Sequence, residues 1–497
     1  MTTTAYIDDD IATIRRDNGS TWELYWGDPV ERMPADDKPG KLRVATRDRE
    51  GNLVLGWLSD KVKLEATSKV LTFSMIDVQQ GDGMILETPK GKVVMIDGGD
   101  NKLFARHAAA RYPATTASRP QVVEAIIVTH GDADHFEGLS ELKKSESDRR
   151  PGKAIFVKPK RIYHNGIVKR PGKKPDDSER SETEMFGSTV DDNGTTYAND
   201  LVDDPRSVSA ADRNAPFNEW CDTLDHWEAR SGGQMAVSRV DHRSDPSQLF
   251  DFLHAEGIKV EIFGPIVETV HGGPALPFLR KPPDDARLML GVKPSAKKPG
   301  YSASHTINGH SINLRLTYGN VRLLLTGDMN QESMARVNNA LNNPDFECEI
   351  LKAPHHGSAD FDMQFLRDAS PVVSLISSGD ESVAKEYIHP RATLMSALGK
   401  ASRDPGPGII FNTELAAFFA YRGWSIDQEI TVKQEAGYEG FERLNFGIIH
   451  IRTDGERVLA FTHSGKAGMN EAYRFTVDAQ HQIAFAAKVT KQSTPKL

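Results

Sequence analysis

Two imidazoles and two carboxylates lie within six consecutive positions of this sequence, in the segment Thr-His-Gly-Asp-Ala-Asp-His-Phe-Glu-Gly at 129–138. An apolar run at 125–128 precedes them and predicts a buried strand. If the chain stays extended after the strand, alternate side chains point the same way, and the last histidine can turn back to join them. The segment therefore predicts a metal site whose first ligands are His130, Asp132, Asp134 and His135.

Later segments supply further candidate ligands: apolar runs lead to Asp328 and to the pair His355-His356, while His310 leads into a predicted hairpin and His389 precedes a proline. Gly-Asp after a strand is common and adjacent histidines are not rare, so each segment alone is a weak signal. Taken together, they predict a site that several strand ends assemble. The residues are Asp328 in Thr-Gly-Asp, His355 and His356 in Pro-His-His-Gly-Ser, His310 in Asn-Gly-His-Ser, and His389 in Ile-His-Pro.

The regular elements that must position these residues are predicted strands and helices in the order typical of an α/β protein. Strand patterns surround a helical stretch at 103–111, and this order suits a layered α/β sandwich. Near the C-terminus, 447–452 and 457–462 flank Thr-Asp-Gly-Glu and predict a hairpin, with a second one at 473–487. The strands predicted in the central region lie at 71–78, 84–88, 92–99, 258–263, 312–318 and 321–325.

Several segments with different character follow one another along the chain. After a flexible N-terminus at 1–19, residues 20–66 predict a small β unit, similar to a bacterial SH3-like barrel, with its tryptophans Trp22, Trp26 and Trp57 in the core. A catalytic domain is expected at 68–430, with a polar, acidic and partly flexible insertion at about 170–245. Residues 431–497 are expected to form β hairpins that pack on that domain or continue it.

Composition limits the class of protein. At 497 residues, 38% of them hydrophobic, the chain is long enough for two or three domains. The only cysteines, Cys221 and Cys348, argue against a disulfide framework, so histidine and aspartate must hold any metal. No run reaches the roughly 18 apolar residues that cross a bilayer, and no apolar secretion core is present. A cytoplasmic protein without a membrane partner is therefore expected.

Charge gives a mixed indication about nucleic acid. The formal net charge of -9 provides no overall attraction to a polyanion. One local exception is the segment 153–174, which carries lysines and arginines and no acidic residue. A solvated loop and a contact with a polyanion are equally open for this segment.

The ordered set of motifs resembles the metallo-β-lactamase fold, and specifically the branch similar to the hydrolase domain of the DNA-uptake protein ComEC. The resemblance covers roughly residues 70–400 and implies a four-layered αββα sandwich. The common signature of the superfamily is His-x-His-x-Asp-His, whereas this chain carries Asp132 at the second ligand position, as the ComEC branch does. The membrane channel of ComEC has no counterpart here. The matching segments are 77–82, 96–99, 129–138, 325–328, 354–358 and 389–390.

A dinuclear site is what the resemblance implies, with Asp328 bridging two divalent ions. Asp132 puts a charged, harder oxygen ligand where an imidazole is usual, which moves the preference from Zn²⁺ towards Mn²⁺ or Mg²⁺. Zn²⁺ or Mn²⁺ is therefore expected, with Mg²⁺ as a further option. The implied ligands are His130 and Asp132 on one ion, and Asp134, His135 and His355 on the other.

Other polar residues have supporting roles under the same resemblance. His310 is expected either to complete the first ion's ligands or to support one of them. His356 and His389 are expected to support ligands or contact substrate, although His389 also suits the start of a helix. Asp97 and Asp82 are expected to fix the ligand loop, which is the segment 129–135 with the first candidate ligands. The residues expected to take part in catalysis are Asp134, Asp328, His356 and His389.

Two metal ions can lower the pKa of a shared water and clamp the oxygens of an in-line displacement. The favoured function is therefore a phosphodiesterase or nuclease that uses a metal-activated hydroxide on a phosphodiester, with nucleic acid as one candidate substrate. A hydrolase of a small thioester, lactone or nucleotide is the first alternative, since one fold hosts many chemistries. The second is an inactive binding or scaffold protein, whose SH3-like unit would bind another protein. The sequence leaves the oligomeric state open.

Overall fold

A computed structural model gives the structure of a mixed α/β protein. It describes residues 3–48, 51–150, 152–281, 300–379, 389–404, 408–415, 444–445, 447–463 and 469–486. The expected boundary between the catalytic domain and the C-terminal hairpins, at 430–431, lies outside the described residues.

The N-terminal part of the chain forms a seven-stranded antiparallel sheet with its own core. The first two strands belong to this sheet, and Ala12 and Ile14 are fully buried, so residues 3–19 are an integral part of the unit where a flexible tail was expected. The strands are β1 Thr3–Ile7, β2 Ile11–Arg16, β3 Thr21–Tyr25, β4 Pro29–Arg32, β5 Lys41–Arg47, β6 Leu53–Ser59 and β7 Leu64–Glu65.

Only one of the three tryptophans of this unit packs in a core. Trp26 is 2% exposed and lies between the N-terminal unit and the last strands of the chain. Trp22 is 37% exposed, and the guanidinium of Arg16 lies 4.6 Å from its ring centre. Trp57 is half-buried under Arg43 in the same way. Cation–π contacts at the surface replace the core packing that was expected for these two rings.

The next part of the chain builds half of a ten-stranded sheet and the helices that cover it. Its elements are β8 Leu71–Met75, β9 Met84–Glu87, β10 Val93–Ile96, α1 Leu103–Arg111, β11 Gln121–Val123, β12 Ala125–Ile127, α2 Ala133–Ser145, β13 Val157–Pro159 and β14 Arg161–His164. Strands β10, β12 and β14 run parallel to one another, so their carboxyl ends share one edge of the sheet.

Residues 170–245, expected to be a long and partly flexible insertion, carry regular elements. They include β15 Thr189–Asp192, β16 Thr195–Ala198, α3 Ala215–Ser231 and β17 Ala236–Arg239. Helix α3 is amphipathic: Phe217, Trp220, Leu224 and Trp227 recur at helical spacing and pack in the core beneath α2. The acidic composition of the segment concealed this apolar stripe.

The second half of the fold is a six-stranded sheet. Between β17 and the C-terminus the elements are α4 Pro246–Leu249, α5 Asp251–His254, β18 Ile258–Gly264, β19 Glu268–Val270, β20 Gly273–Pro277, α6 Ala303–Gly309, β21 Asn313–Tyr318, β22 Val321–Leu325, α7 Gln331–Ala340, β23 Ile350–Lys352, α8 Met363–Ala369, β24 Val373–Ile376, α9 Ala392–Ala401, β25 Ile409–Asn412, β26 Glu414–Leu415, β27 Leu444–Asn445, β28 Ile448–Thr453, β29 Arg457–His463, β30 Met469–Val477 and β31 Ile483–Phe485. Strands β22 to β25 are parallel.

The hairpins predicted near the C-terminus extend the first large sheet. Strand β28 pairs antiparallel with β8, and β29, β30 and β31 follow in order. The two large sheets then face each other across one apolar core, which holds side chains of both, such as Ile127 and Leu325. Helices α1, α2 and α3 cover the outer side of the ten-stranded sheet, and α7, α8 and α9 cover the outer side of the other.

Candidate metal centre

The predicted site residues meet where the parallel strands of both sheets end. Strands β10 and β12 lead to Asp97 and to the segment 129–135, while β22 and β23 lead to Asp328 and to the segment 352–356. The crevice outside the carboxyl ends of parallel strands is the usual ligand position in α/β folds. The shared core between the sheets therefore sets the distance between the two halves of the site.

His130 lies at the bottom of this crevice and is fully buried. Its Nδ1 is 3.2 Å from the hydroxyl oxygens of both Thr129 and Ser311. Each hydroxyl already donates its proton elsewhere, to the carboxylate of Asp97 and to the carbonyl of Asn308 respectively. Nδ1 must therefore be the donor to these oxygens, which leaves Nε2 with a free lone pair for a cation.

Asp97 holds His135 and the ligand loop, as the sequence predicted. Its carboxylate accepts from Thr129 N at 2.8 Å, from Thr129 Oγ1 at 2.7 Å and from His135 Nδ1 at 2.9 Å. Both side chains of the Asp97–His135 pair are fully buried. A carboxylate on Nδ1 fixes the tautomer of a ligand histidine and points its Nε2 into the site.

His356 repeats the arrangement from the other sheet. Its Nδ1 lies 3.3 Å from Asp82 Oδ1, and its Nε2 lies 3.2 Å from the Nε2 of His135. Asp82 comes from a turn that packs directly on α2: a Cβ on Gly81, whose φ is +90°, would lie 1.6 Å from the carbonyl oxygen of Asp134. Only glycine fits there.

Asp328 is the centre of the group. Its Oδ2 lies 3.0 Å from His356 Nε2, 3.3 Å from His135 Nε2 and 3.7 Å from His355 Nε2. The backbone N–H of Asp328 donates to Ser311 Oγ at 2.9 Å, so this hydroxyl contacts both Asp328 and His130. Sequence reasoning quoted Ser311 in its motif and missed this role.

Lys352 is a fully buried cation beside Asp328. Its ammonium is paired with Asp82, lies 3.6 Å from Asp328 Oδ1 and donates to the carbonyl of Gly327 at 2.8 Å. The lysine thus ties the turn that carries Asp82 to the turn that carries Asp328. A lysine directly before Ala-Pro-His-His was visible in the sequence, but nothing in the pattern distinguished it from a solvent-exposed strand residue.

His356 lies closer to Asp328 than does His355, the residue that was expected to be the ligand. His356 Nε2 lies in the centre of the cluster, also 3.8 Å from Asp134 Oδ2, whereas His355 is 24% exposed and its Nε2 lies 3.3 Å from the side chain of Asn308. Both residues have left-handed backbone, with φ of 45° and 50°, and their ring centres lie 5.9 Å apart at an interplanar angle of 77°. His389 lies beyond His355, with ring centres 5.8 Å apart.

His310, expected either to bind metal or to support a ligand, lies outside the cluster. Its Nε2 donates to the carbonyl of Pro277 at 2.8 Å. Asn308, two residues earlier on α6, takes the place beside the ligand loop: with its amide oriented to suit its neighbours, it donates to Asp132 Oδ2 at 3.2 Å and accepts from His355 Nε2 at 3.3 Å. Asp132 itself is paired through Oδ1 with Lys169 at 2.9 Å.

The charges of the cluster depend on one another. Burial opposes protonation of its imidazoles, but Asp328 and Asp97 outweigh burial and raise the pKa of His135 well above its usual value. Asp328 and Asp82 likewise raise the pKa of His356 to about 10. Burial, and then the charge on His135, hold the pKa of His130 well below its usual value.

The donor set suits divalent cations. Histidine and carboxylate atoms within 4.8 Å of one another form overlapping groups, and most members are buried. Within the described residues, the buried Oδ1 of Asp328 has no hydrogen-bond partner, and the ammonium of Lys352 faces it from 3.6 Å, beyond hydrogen-bonding distance. The groups are His130, His135 and Asp328; Asp134, His135 and His356; Asp82, Asp328 and His356; and Asp82, Asp97 and His135.

Comparison with known proteins points to one superfamily. Residues 76–154, which include the His130–His135 segment, match the family model described as the metallo-beta-lactamase superfamily. No curated protein sequence matches the chain. None of the described helices combines the length and apolar character needed to cross a membrane.

Two solved structures show a weak likeness. The metallo-beta-lactamase fold protein YhfI from Bacillus subtilis is 7% identical, and the match covers 69% of this chain and 96% of that one with a TM-score of 0.27. A long form RNase Z from yeast is 10% identical, with 69% of this chain and 37% of that one covered and a TM-score of 0.22. At these values, neither likeness bears on what this chain binds or cleaves.

Proposed function

The chain contains a metallo-beta-lactamase superfamily domain, and we propose that it is a metal-dependent phosphodiesterase. The observation that carries the proposal is the position of Asp328, whose single Oδ2 faces the Nε2 atoms of three histidines, two of them within 3.3 Å. A buried carboxylate among imidazoles from two sheets is suited to sharing between two cations.

We assign the ligands from the overlapping donor groups. His130 serves one ion, Asp134 and His356 serve the other, and Asp328 is shared, since it belongs to one donor group with His130 and to another with His356. His135 offers one free nitrogen and can serve only one of the two, since its Nδ1 is held by a carboxylate. The carboxylates of the set favour Zn²⁺ or Mn²⁺, with Mg²⁺ next.

Divalent ions in these positions supply Lewis acidity and a nucleophile near neutral pH. The protein's own residues prepare the site for them. Asp97 and Asp82 orient the imidazoles of His135 and His356, and Thr129 and Ser311 hold the ring of His130. Burial of these groups keeps water from competing for the donor atoms.

The proposal also covers the layer architecture of the fold and the branch of the superfamily to which the chain is assigned. Two facing sheets with helices outside are arranged as in a four-layered αββα sandwich, and the Asp132 position favours the ComEC-type branch. The N-terminal antiparallel sheet, whose seven strands lie in the order β3-β2-β6-β5-β4-β1-β7, is proposed as the SH3-like unit.

The test combines metal analysis with a panel of substrates. Purified protein is expected to hold two divalent ions and to cleave bis-p-nitrophenyl phosphate, and the panel adds single-stranded DNA, RNA and a thioester. The variant Asp328→Asn should lose metal and activity, whereas Asp222→Asn, an exposed aspartate on α3, should behave as the parent. Protein that holds no metal and cleaves nothing with Mn²⁺ or Zn²⁺ supplied would contradict the proposal, and cleavage of the thioester alone would reassign the substrate.

A further inference from the structure

The basic segment 153–174 is mostly neutralised by acids of the same chain. The charge of four of its eight cations is offset by carboxylates outside the candidate metal centre. The ion pairs are Lys160 with Glu124 at 2.6 Å, Arg161 with Asp251 at 2.9 Å, Arg170 with Asp200 at 2.6 Å and Lys174 with Glu184 at 2.7 Å.

Lys169 differs from these residues because its partner belongs to the candidate metal centre. Its Nζ donates to Asp132 Oδ1 at 2.9 Å, and the two side chains are 24% and 23% exposed. Lys169 directly follows residues 162–168, which form the end of β14 and the segment after it. All of these residues are buried. The ammonium is therefore partly exposed to solvent, beside the side chain of Asp132.

The hydrogen-bond capacity of Lys169 is only partly used. An ammonium has three donors, and within the described residues Lys169 has one acceptor, Asp132. Lys352, the other lysine of the site, is fully buried and directs its donors at Asp82 and the carbonyl of Gly327. Lys352 is thus a structural cation, while Lys169 keeps donors available to a molecule in the crevice.

An anion that enters this crevice meets several carboxylates, including Asp132 and Asp134. Positive charge at the edge offsets them locally, and an ammonium is a common partner of phosphate oxygens. We propose that Lys169 binds a non-bridging oxygen of the substrate's phosphate and so gives the site its preference for anionic esters over neutral ones. This rests on the proposed phosphodiesterase function and names the contact that selects the substrate class.

The experiment compares Lys169→Met with Lys173→Met, an exposed lysine four residues away, in the metal-loaded full chain. Bis-p-nitrophenyl phosphate is the anionic substrate and p-nitrophenyl acetate the neutral one. Loss of one charge-assisted hydrogen bond should lower kcat/KM for the anionic ester about 10- to 100-fold. The neutral ester should be cleaved as by the parent, and Lys169→Arg should restore most of the loss. Metal content is measured for every variant.

The outcomes separate a substrate contact from a merely structural one. Equal loss on both esters, or loss of metal, would show that Lys169 acts through Asp132 and would overturn the inference. An unchanged preference of Lys169→Met for the anionic over the neutral ester would also overturn the inference. The phosphodiesterase proposal would then remain intact. If the parent cleaves no phosphodiester, that proposal fails, and binding of inorganic phosphate to the metal-loaded chain decides on Lys169: weaker binding only in Lys169→Met supports its anion contact.

Discussion

Replacement of Asp97 by asparagine tests how the site is held together. The carboxylate accepts three hydrogen bonds, two from Thr129 and one from His135 Nδ1. Asparagine keeps one acceptor for the Thr129 amide but places an NH₂ group against the other donors. The His135 ring then gains by moving its proton to Nε2, because Nδ1 can accept from that NH₂. A protonated Nε2 has no lone pair for a cation.

The size of the effect follows from these contacts. Two lost bonds to a charged acceptor, at roughly 1.5 kcal/mol each, give about 3 kcal/mol. Burial raises the pKa of Asp97, because the charged form is costly in the interior. The neutral amide of asparagine removes that cost and so recovers part of the lost free energy. A net loss of about 1.4 to 2.8 kcal/mol remains, which corresponds to a 10- to 100-fold weaker affinity for the metal. This is the usual effect of mutating a residue that orients a metal ligand.

The assay is competition for Zn²⁺ or Mn²⁺ against a chelator of known affinity, with Asp222→Asn as the surface control. The expected result is weaker affinity at unchanged stoichiometry. Asp97 also belongs to one donor group with Asp82 and His135, so it could bind an ion directly. In that case Asp97→Asn would lose one full equivalent of metal. Parental affinity in Asp97→Asn would refute the orienting role altogether.

Three further predictions concern other buried groups. Lys352→Met removes the ammonium paired with the buried carboxylate of Asp82, so the chelated protein should lose about 3 to 5 kcal/mol of unfolding free energy and the metal-loaded protein less; equal losses in thermal unfolding would contradict this. His356→Ala should lose about one metal equivalent, whereas His310→Gln should retain both ions, as metal analysis can show. Burial, then Arg452, holds the pKa of His450 well below normal, so this histidine stays neutral in the fold. Because the unfolded chain takes up its proton below about pH 6.5, stability should fall as pH drops, by up to about 1.4 kcal/mol per unit, and His450→Gln should flatten that slope in denaturant titrations.

The positions of the ligand-bearing segments could be predicted because they depend on a simple pattern. Each follows an apolar run, and the carboxyl ends of neighbouring parallel strands must meet at one edge. The segments after β12 and β22 end strands of two different sheets, so this rule did not place them together; the family resemblance did. The role of Asp97 followed from its strand end in the same way.

Which of two nearby residues faces the site could not be predicted. Asn308 and His310 are two positions apart at the end of α6, so their directions differ by about 200° around the helix axis, and the phase is set by packing. His355 and His356 are adjacent, and their order in the site depends on left-handed backbone that no residue type announces. The sequence offers His310 as a candidate and favours His355 over His356, whereas Asn308 and His356 are the side chains that lie nearer the cluster.

The charge balance of the cluster favours the binding of cations. Asp82, Asp97, Asp134 and Asp328 face a buried region in which Lys352 is the permanent positive group among the described residues. Without metal, the imbalance is met by protons on imidazoles, which is why the pKa of His135 and of His356 is raised despite burial. A ligand histidine must release such a proton before it can bind a cation. Metal binding is therefore coupled to proton release, and affinity increases with pH until these imidazoles are neutral.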